Sequence, residues 1–265
     1  MDGGRLYYET AGRGRGLVLI HAGVADHRMW DEQFATFADS FEVIRYDTRG
    51  FGRSQTDDVE FSNRQDLREL LRHLGLPRAA LCGVSRAGQI AVDFTLEFPE
   101  MVEALILVAA GLSGYEGGHA AREIETQMFG EMEEAWEERD IPRLIDLEIR
   151  MWVDGPGQPP DRVDPGVRER VRKMETETFA QNATEGKPQP LAPPAIGRLG
   201  EIHAPTLVIA GDLDTTGTLA MADLLAQVIP GARKIIIPGA AHMLTMEQPK
   251  TFNRIILDFL HDVAD

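Results

Sequence analysis

The chain has 265 residues, 43% of them apolar and 26% charged, enough for one large α/β domain with a substantial core. A formal net charge of −16 repels phosphate backbones and anionic lipid, which excludes nucleic acid and membrane surfaces as expected partners. The one cysteine, Cys82, rules out an internal disulfide and a cysteine-built zinc site; with no signal-peptide run and no stretch of 18 apolar residues, the expected compartment is the cytoplasm.

In chain order, residues 6–10 predict an edge strand. Gly12, Gly14 and Gly16 follow, but they precede the apolar strand 17–20 instead of opening a helix, so they do not form a dinucleotide-binding turn. That strand ends in His21-Ala22-Gly23. A helix with Trp30, Phe34 and Phe37 comes next, then strand 41–46, which runs into the polar, glycine-rich turn Asp47-Thr48-Arg49-Gly50-Phe51-Gly52-Arg53-Ser54. A helix carrying Leu67, Leu70, Leu71 and Leu74 is stopped by Gly75 and Pro77.

The apolar run 79–82 leads into Gly83-Val84-Ser85-Arg86-Ala87-Gly88, and Ile90, Ala91, Phe94 and Phe98 then recur at helical spacing. Ser85 therefore sits on a sharp strand-to-helix turn flanked by small residues, with its hydroxyl raised over the sheet edge at a helix N-terminus. Cys82, in the strand before it, reads as a small buried hydrophobe. Strand 104–109 completes an alternation of strands and helices that calls for a mostly parallel sheet with helices on both faces.

From 113 to 200 no convincing strand is predicted. Three amphipathic helices carry Ile124, Met128, Met132 and Ala135; Leu144, Leu147 and Met151; and Val167, Val171, Met174 and Thr178. The run of glutamates from Glu123 to Glu138 reads as a solvated helix face. A proline-rich stretch, 188–194, leads to strand 206–210, a helix over 219–228, strand 233–237 and a closing helix over 252–259. The expected organisation is a core of residues 1–112 and 201–265 with a helical cap, 113–200, inserted between sheet strands. Such a cap lies over the edge where open α/β sheets bind ligands, and it is expected to be a mobile lid.

A serine hydroxyl needs a general base, and the base needs an orienting group. His242 follows the last strand in Gly239-Ala240-Ala241-His242-Met243, and Gly211-Asp212-Leu213-Asp214 follows strand 206–210. Serine, carboxylate and histidine thus end three separate strands, in the order Ser, Asp, His; at this stage either aspartate can serve.

With these segments in place the chain resembles the α/β-hydrolase family over nearly its whole length, and within it the small capped esterases and 3-oxoadipate enol-lactonase-like proteins. The match lies in His21-Ala22-Gly23 with Met29-Trp30, the 47–54 turn, the serine turn, 211–214 and 239–242. Two departures are Ala87 and Ala22, where the family usually has glycine. The resemblance implies Ser85 as nucleophile, His242 as base, Asp214 in preference to Asp212 as the acid, and the N–H groups of Gly23 and Arg86 as the oxyanion hole. His21 is then a loop brace, and Asp47, Arg49 and Ser54 are turn scaffolding.

It further implies ester or lactone hydrolysis without metal or organic cofactor, by a monomer or homodimer acting on a small molecule. Perhydrolases, carbon–carbon bond hydrolases and ligand-sensing receptors on the same fold stay open as alternatives. Met128, Met132, Met151, Trp152 and Met243 are expected to line an apolar pocket. The Arg86 side chain stands where the family commonly has an apolar residue. It either pairs with a protein carboxylate as a brace or holds an anionic group of the substrate.

Overall fold

The computed structural model describes residues 3–115, 117, 121–181 and 186–263, so a few positions of the 113–200 insertion lie outside the described residues. Seven strands form the central sheet: β1 (Tyr8–Ala11), β2 (Gly16–Ile20), β3 (Glu42–Tyr46), β4 (Ala79–Val84), β5 (Val102–Val108), β6 (Thr206–Gly211) and β7 (Arg233–Ile237). Their order across the sheet is β7-β6-β5-β4-β2-β3-β1. Only β1 runs antiparallel, at the edge beside β3; the other pairs are parallel. This is the α/β fold class expected from the sequence, with the edge strand displaced by a residue or two.

Both faces of the sheet are covered, which is why the inner strands read as unbroken apolar runs. Leu17, Leu19, Cys82, Ile106 and Ile209 point to one face, where they meet Phe37 of α1 (Asp31–Phe37) and Phe252, Ile256 and Phe259 of α8 (Pro249–Asp262). The alternate residues Val18, Ile20, Leu81, Leu107 and Val208 point to the other face. There they meet Leu67 of α2 (Asn63–His73), Phe94 of α3 (Arg86–Glu97) and Leu225 of α7 (Thr216–Val228).

Between β5 and β6 the chain is helical: α4 (Glu123–Glu137), α5 (Ile141–Glu148) continuing into a π-helical turn (Ile149–Asp154), and α6 (Pro165–Gln181). Two short strand pairings escaped the sequence reading: Gly4–Arg5 lies antiparallel to Gln55–Thr56, and Lys187–Pro188 lies parallel to Glu60–Phe61. Each of these strands is only two residues long, so it shows no period. Among the described residues, no helix is long and apolar enough to cross a membrane.

Candidate active site

Ser85 follows β4 directly and precedes α3, with φ +56° and ψ −122°. A side-chain-bearing residue at positive φ is strained, and its neighbours hold it there. The Ser85 amide donates to the Val108 carbonyl of β5 at 2.9 Å, and the Ser85 carbonyl accepts from Gly88 N at 2.8 Å and Gly111 N at 2.9 Å. Close approach explains the small residues. A Cβ on Gly83 would stand 2.3 Å from the Ala87 carbonyl oxygen, and one on Gly88 would stand 2.3 Å from Ala110 Cβ. The tight positions are therefore 83 and 88, and position 87 accommodates a methyl group in full burial. Gly88→Ala is expected to lower stability by about 1–3 kcal/mol through overpacking against Ala110, read by denaturant unfolding.

The other strand ends converge. His242 Nδ1 lies 2.8 Å from Asp214 Oδ2, and both side chains are buried. The second Asp214 oxygen accepts from Thr215 N at 2.7 Å. A neutral His242 that donates from Nδ1 to Asp214 keeps Nε2 as its basic nitrogen. Asp212 does something else: its carboxylate accepts from Gly239 N at 2.7 Å and ties the loop after β6 to the loop after β7. Leu213 N donates to the Ala240 carbonyl at 3.0 Å in the same contact.

His21 is wholly buried; its Nδ1 donates to the Ala22 carbonyl at 2.8 Å and its Nε2 accepts from Thr48 N at 3.0 Å. Burial holds its pKa below the ordinary value, and it braces two loops as a neutral ring. Asp47 accepts from His27 N at 2.7 Å and Arg53 N at 2.8 Å, and Arg49 pairs with Asp66 at 2.6 Å, which are scaffolding contacts. Asp47 also meets the His27 ring at 2.8 Å, a second buried aspartate–histidine pair that the sequence does not reveal. Asp26, His27 and Asp47 place ligand-type atoms within 4.8 Å of one another, yet each is engaged in hydrogen bonds within the fold.

A cavity of about 380 Å³ adjoins Gly23 and Arg86, the two expected oxyanion-hole residues. Aromatic side chains from both sides line it, Phe51 and Phe61 from the core and Trp136 and Phe179 from the helical insertion. None of the five pocket candidates named from sequence lines this cavity. Met128 and Met151 face inward and are buried, Met243 belongs to the main core, and Met132 packs with Ala135, Leu144 and Leu147 between helices. Helical spacing shows that such residues share a face; here that face packs against protein. Trp152 packs against His242 instead, with ring centroids 4.6 Å apart and the rings tilted at 46°.

The insertion is tied to the loops after β6 and β7 by residues that sequence reasoning missed. Glu125, in the run read as a solvated face, is 1% exposed. It accepts from Thr216 N at 2.9 Å and from the Thr216 hydroxyl at 2.6 Å. Arg122 pairs with Glu125 at 2.5 Å and donates to the Asp214 carbonyl at 3.2 Å. Arg162 donates to the Gly239 carbonyl at 2.8 Å and pairs with Glu247 at 2.7 Å. Glu125 also accepts from the Arg122 backbone N at 3.2 Å, the reach-back half of a capping box, which a glutamate at the third position of a helix signals in sequence.

Glu148 of α5 and Glu175 of α6 also border the cavity, within electrostatic reach of each other. Burial pushes both carboxyls up, Glu175 far above the ordinary carboxylate range, and the Glu148 charge adds to the effect. A carboxyl with a raised folded-state pKa binds its proton more tightly folded than unfolded. Stability is therefore full at low pH and falls as pH rises above the ordinary value of 4.5. Glu175→Gln, which mimics the protonated form, is expected to be more stable than the parent by about 1–3 kcal/mol at pH 8 and equal to it near pH 4, read by melting curves across pH.

The profile of the alpha/beta hydrolase fold family matches residues 17–249. The chain belongs to the α/β-hydrolase family. Among its α/β-hydrolase relatives is 3-oxoadipate enol-lactonase 2 of Acinetobacter baylyi, 29% identical over 95% of this chain and 91% of that protein. Another is the 2-hydroxy-6-oxononadienedioate/2-hydroxy-6-oxononatrienedioate hydrolase of Paraburkholderia phymatum, 27% identical over 98% of this chain and 93% of its own length. Among solved structures, a thermophilic esterase from Thermogutta terrifontis with malate bound superposes with a TM-score of 0.76 at 26% identity, covering 97% of this chain and 93% of the other. The sequence-based assignment to the esterase and lactonase branch of the α/β-hydrolases agrees with these relatives.

Proposed function

We propose that this α/β-hydrolase cleaves carboxylic esters or lactones by acyl transfer through Ser85. The observation that carries the reading is the strained Ser85 turn on β4 together with the 2.8 Å Asp214–His242 contact formed by the loops after β6 and β7. Ser85 Oγ attacks the carbonyl carbon while His242 Nε2 takes its proton. The oxyanion binds the N–H groups of Gly23 and Arg86, aided by the N-terminus of α3. The tetrahedral adduct collapses, the C–O bond to the leaving group breaks, and His242 returns the proton to the alkoxide. Water, deprotonated by His242, then attacks the acyl-serine and releases the acid. Asp214 holds the imidazole tautomer and stabilises its cationic form.

Segment 113–200 serves in this reading as the cap that closes the cavity over the sheet edge. The hydrolase relative from Paraburkholderia supports a second reading, hydrolytic carbon–carbon cleavage by the same three side chains.

The direct test is a fluorophosphonate probe followed by intact-mass and peptide analysis. One adduct, on Ser85, is expected and should be absent after prior inactivation with a sulfonyl fluoride. Labelling at a different residue ends the proposal.

A further inference from the structure

We propose that the Arg86 side chain is a binding subsite for a carboxylate carried by the substrate, next to the reacting carbonyl. The inference deepens the acyl-transfer reading of Ser85 and rests on it.

Arg86 differs from the other inward-facing arginines of the fold. Arg49 pairs with Asp66 through two hydrogen bonds, at 2.6 and 2.8 Å, and Arg45 pairs with Glu9 and Asp31 at 2.6 and 2.5 Å. Among the described residues no ion pair joins Arg86 to a carboxylate, so the brace that the sequence allowed is not formed by a counter-charge. One terminal nitrogen donates to the neutral Thr48 hydroxyl at 2.5 Å. Nε is buried and has no hydrogen-bond partner. The guanidinium carbon lies 4.4 Å from the centre of the Phe51 ring. A cation–π contact and one neutral acceptor hold the fork and leave its charge without a carboxylate partner among the described residues.

Arg86 borders the 380 Å³ cavity. Burial draws its pKa down to about 10, so it remains a cation at neutral pH. A desolvated cation without a counter-ion is costly, and an entering carboxylate offsets that cost through a planar, two-pronged contact. The other ionisable groups at the cavity do not fill this role. Among the described residues neither Glu148 nor Glu175 forms an ion pair with Arg86, and burial holds both toward their protonated forms. Arg49 is matched by Asp66. The remaining lining, Phe61, Trp136 and Phe179, suits a short hydrocarbon segment. The substrate class is therefore a short ester or lactone that bears a free carboxylate. Because Arg86 immediately follows Ser85, the subsite would act on position as well as on affinity.

The test compares kcat/KM for three substrates: 4-nitrophenyl hexanoate, mono-4-nitrophenyl adipate with the acid on the acyl part, and 4-carboxyphenyl hexanoate with the acid on the leaving group. Arg86→Met and Arg86→Gln should each lower the charged-to-neutral ratio by roughly 10–100-fold for one of the two acids, and Arg86→Lys should recover part of it. The acid that responds tells which side of the scissile bond faces Arg86. Equal losses on all three substrates overturn the subsite. A binding arm needs no turnover: calorimetry of hexanoate against hexanamide on Ser85→Ala protein. A preference for hexanoate that disappears in the Ser85→Ala, Arg86→Met double variant supports the subsite even if the parent hydrolyses none of the three esters, in which case only the acyl-transfer reading fails. Equal binding of the two ligands to Ser85→Ala protein overturns the subsite.

Discussion

Replacing Ser85 by alanine should lower kcat for a 4-nitrophenyl ester by about three to six orders of magnitude while the fold persists. The residual rate would come from substrate binding and oxyanion donors, which do not depend on the hydroxyl. Folding should hold because alanine tolerates the φ of +56° no worse than serine does, and the amide and carbonyl contacts to Val108, Gly88 and Gly111 are backbone contacts. Ser85→Gly provides a companion measurement. Glycine adopts positive φ without penalty, so this variant should be equally inactive yet more stable, by about 1 kcal/mol or more. A gain in melting temperature with loss of activity would mark position 85 as strained for the sake of chemistry. Turnover by Ser85→Ala within tenfold of the parent would remove the serine from the mechanism.

The second large effect separates two aspartates that lie two positions apart. Asp214→Asn should lower kcat by about 10² to 10⁴-fold, because an amide facing Nδ1 favours the wrong imidazole tautomer and does not stabilise the imidazolium. Asp212→Asn should lower kcat less than tenfold, since an asparagine oxygen can still accept from Gly239 N. Kinetics of the two variants on one neutral ester decide the assignment. A larger loss at 212 than at 214 would reverse the roles given to them.

Much of the fold and the three candidate side chains were legible in the sequence, because the signals there are local. Strands buried on both faces need apolar residues at every position, and the runs at 17–20, 104–109 and 207–210 show this directly. A sharp turn from strand to helix needs small residues where backbones touch, and Gly83 and Gly88 display that need around Ser85. What the tertiary structure alone decided is which groups meet. Asp212 and Asp214 share one loop and one composition, and the packing of the loop after β6 on the loop after β7 determines that only Asp214 reaches His242. Glu125 looks like its solvent-facing neighbours in α4 until the N-terminus of α7, some 90 residues later, comes against it. Trp152 and the inward methionines share helical spacing, yet packing sets Trp152 on His242 and sends the methionines into the core. Arg86 could have been a paired brace on sequence grounds, and only the tertiary placement shows that no described carboxylate forms an ion pair with it. Periodicity and φ preferences are properties of adjacent residues, whereas the partner of a charge depends on segments brought together by burial of the whole core, and no local pattern encodes it.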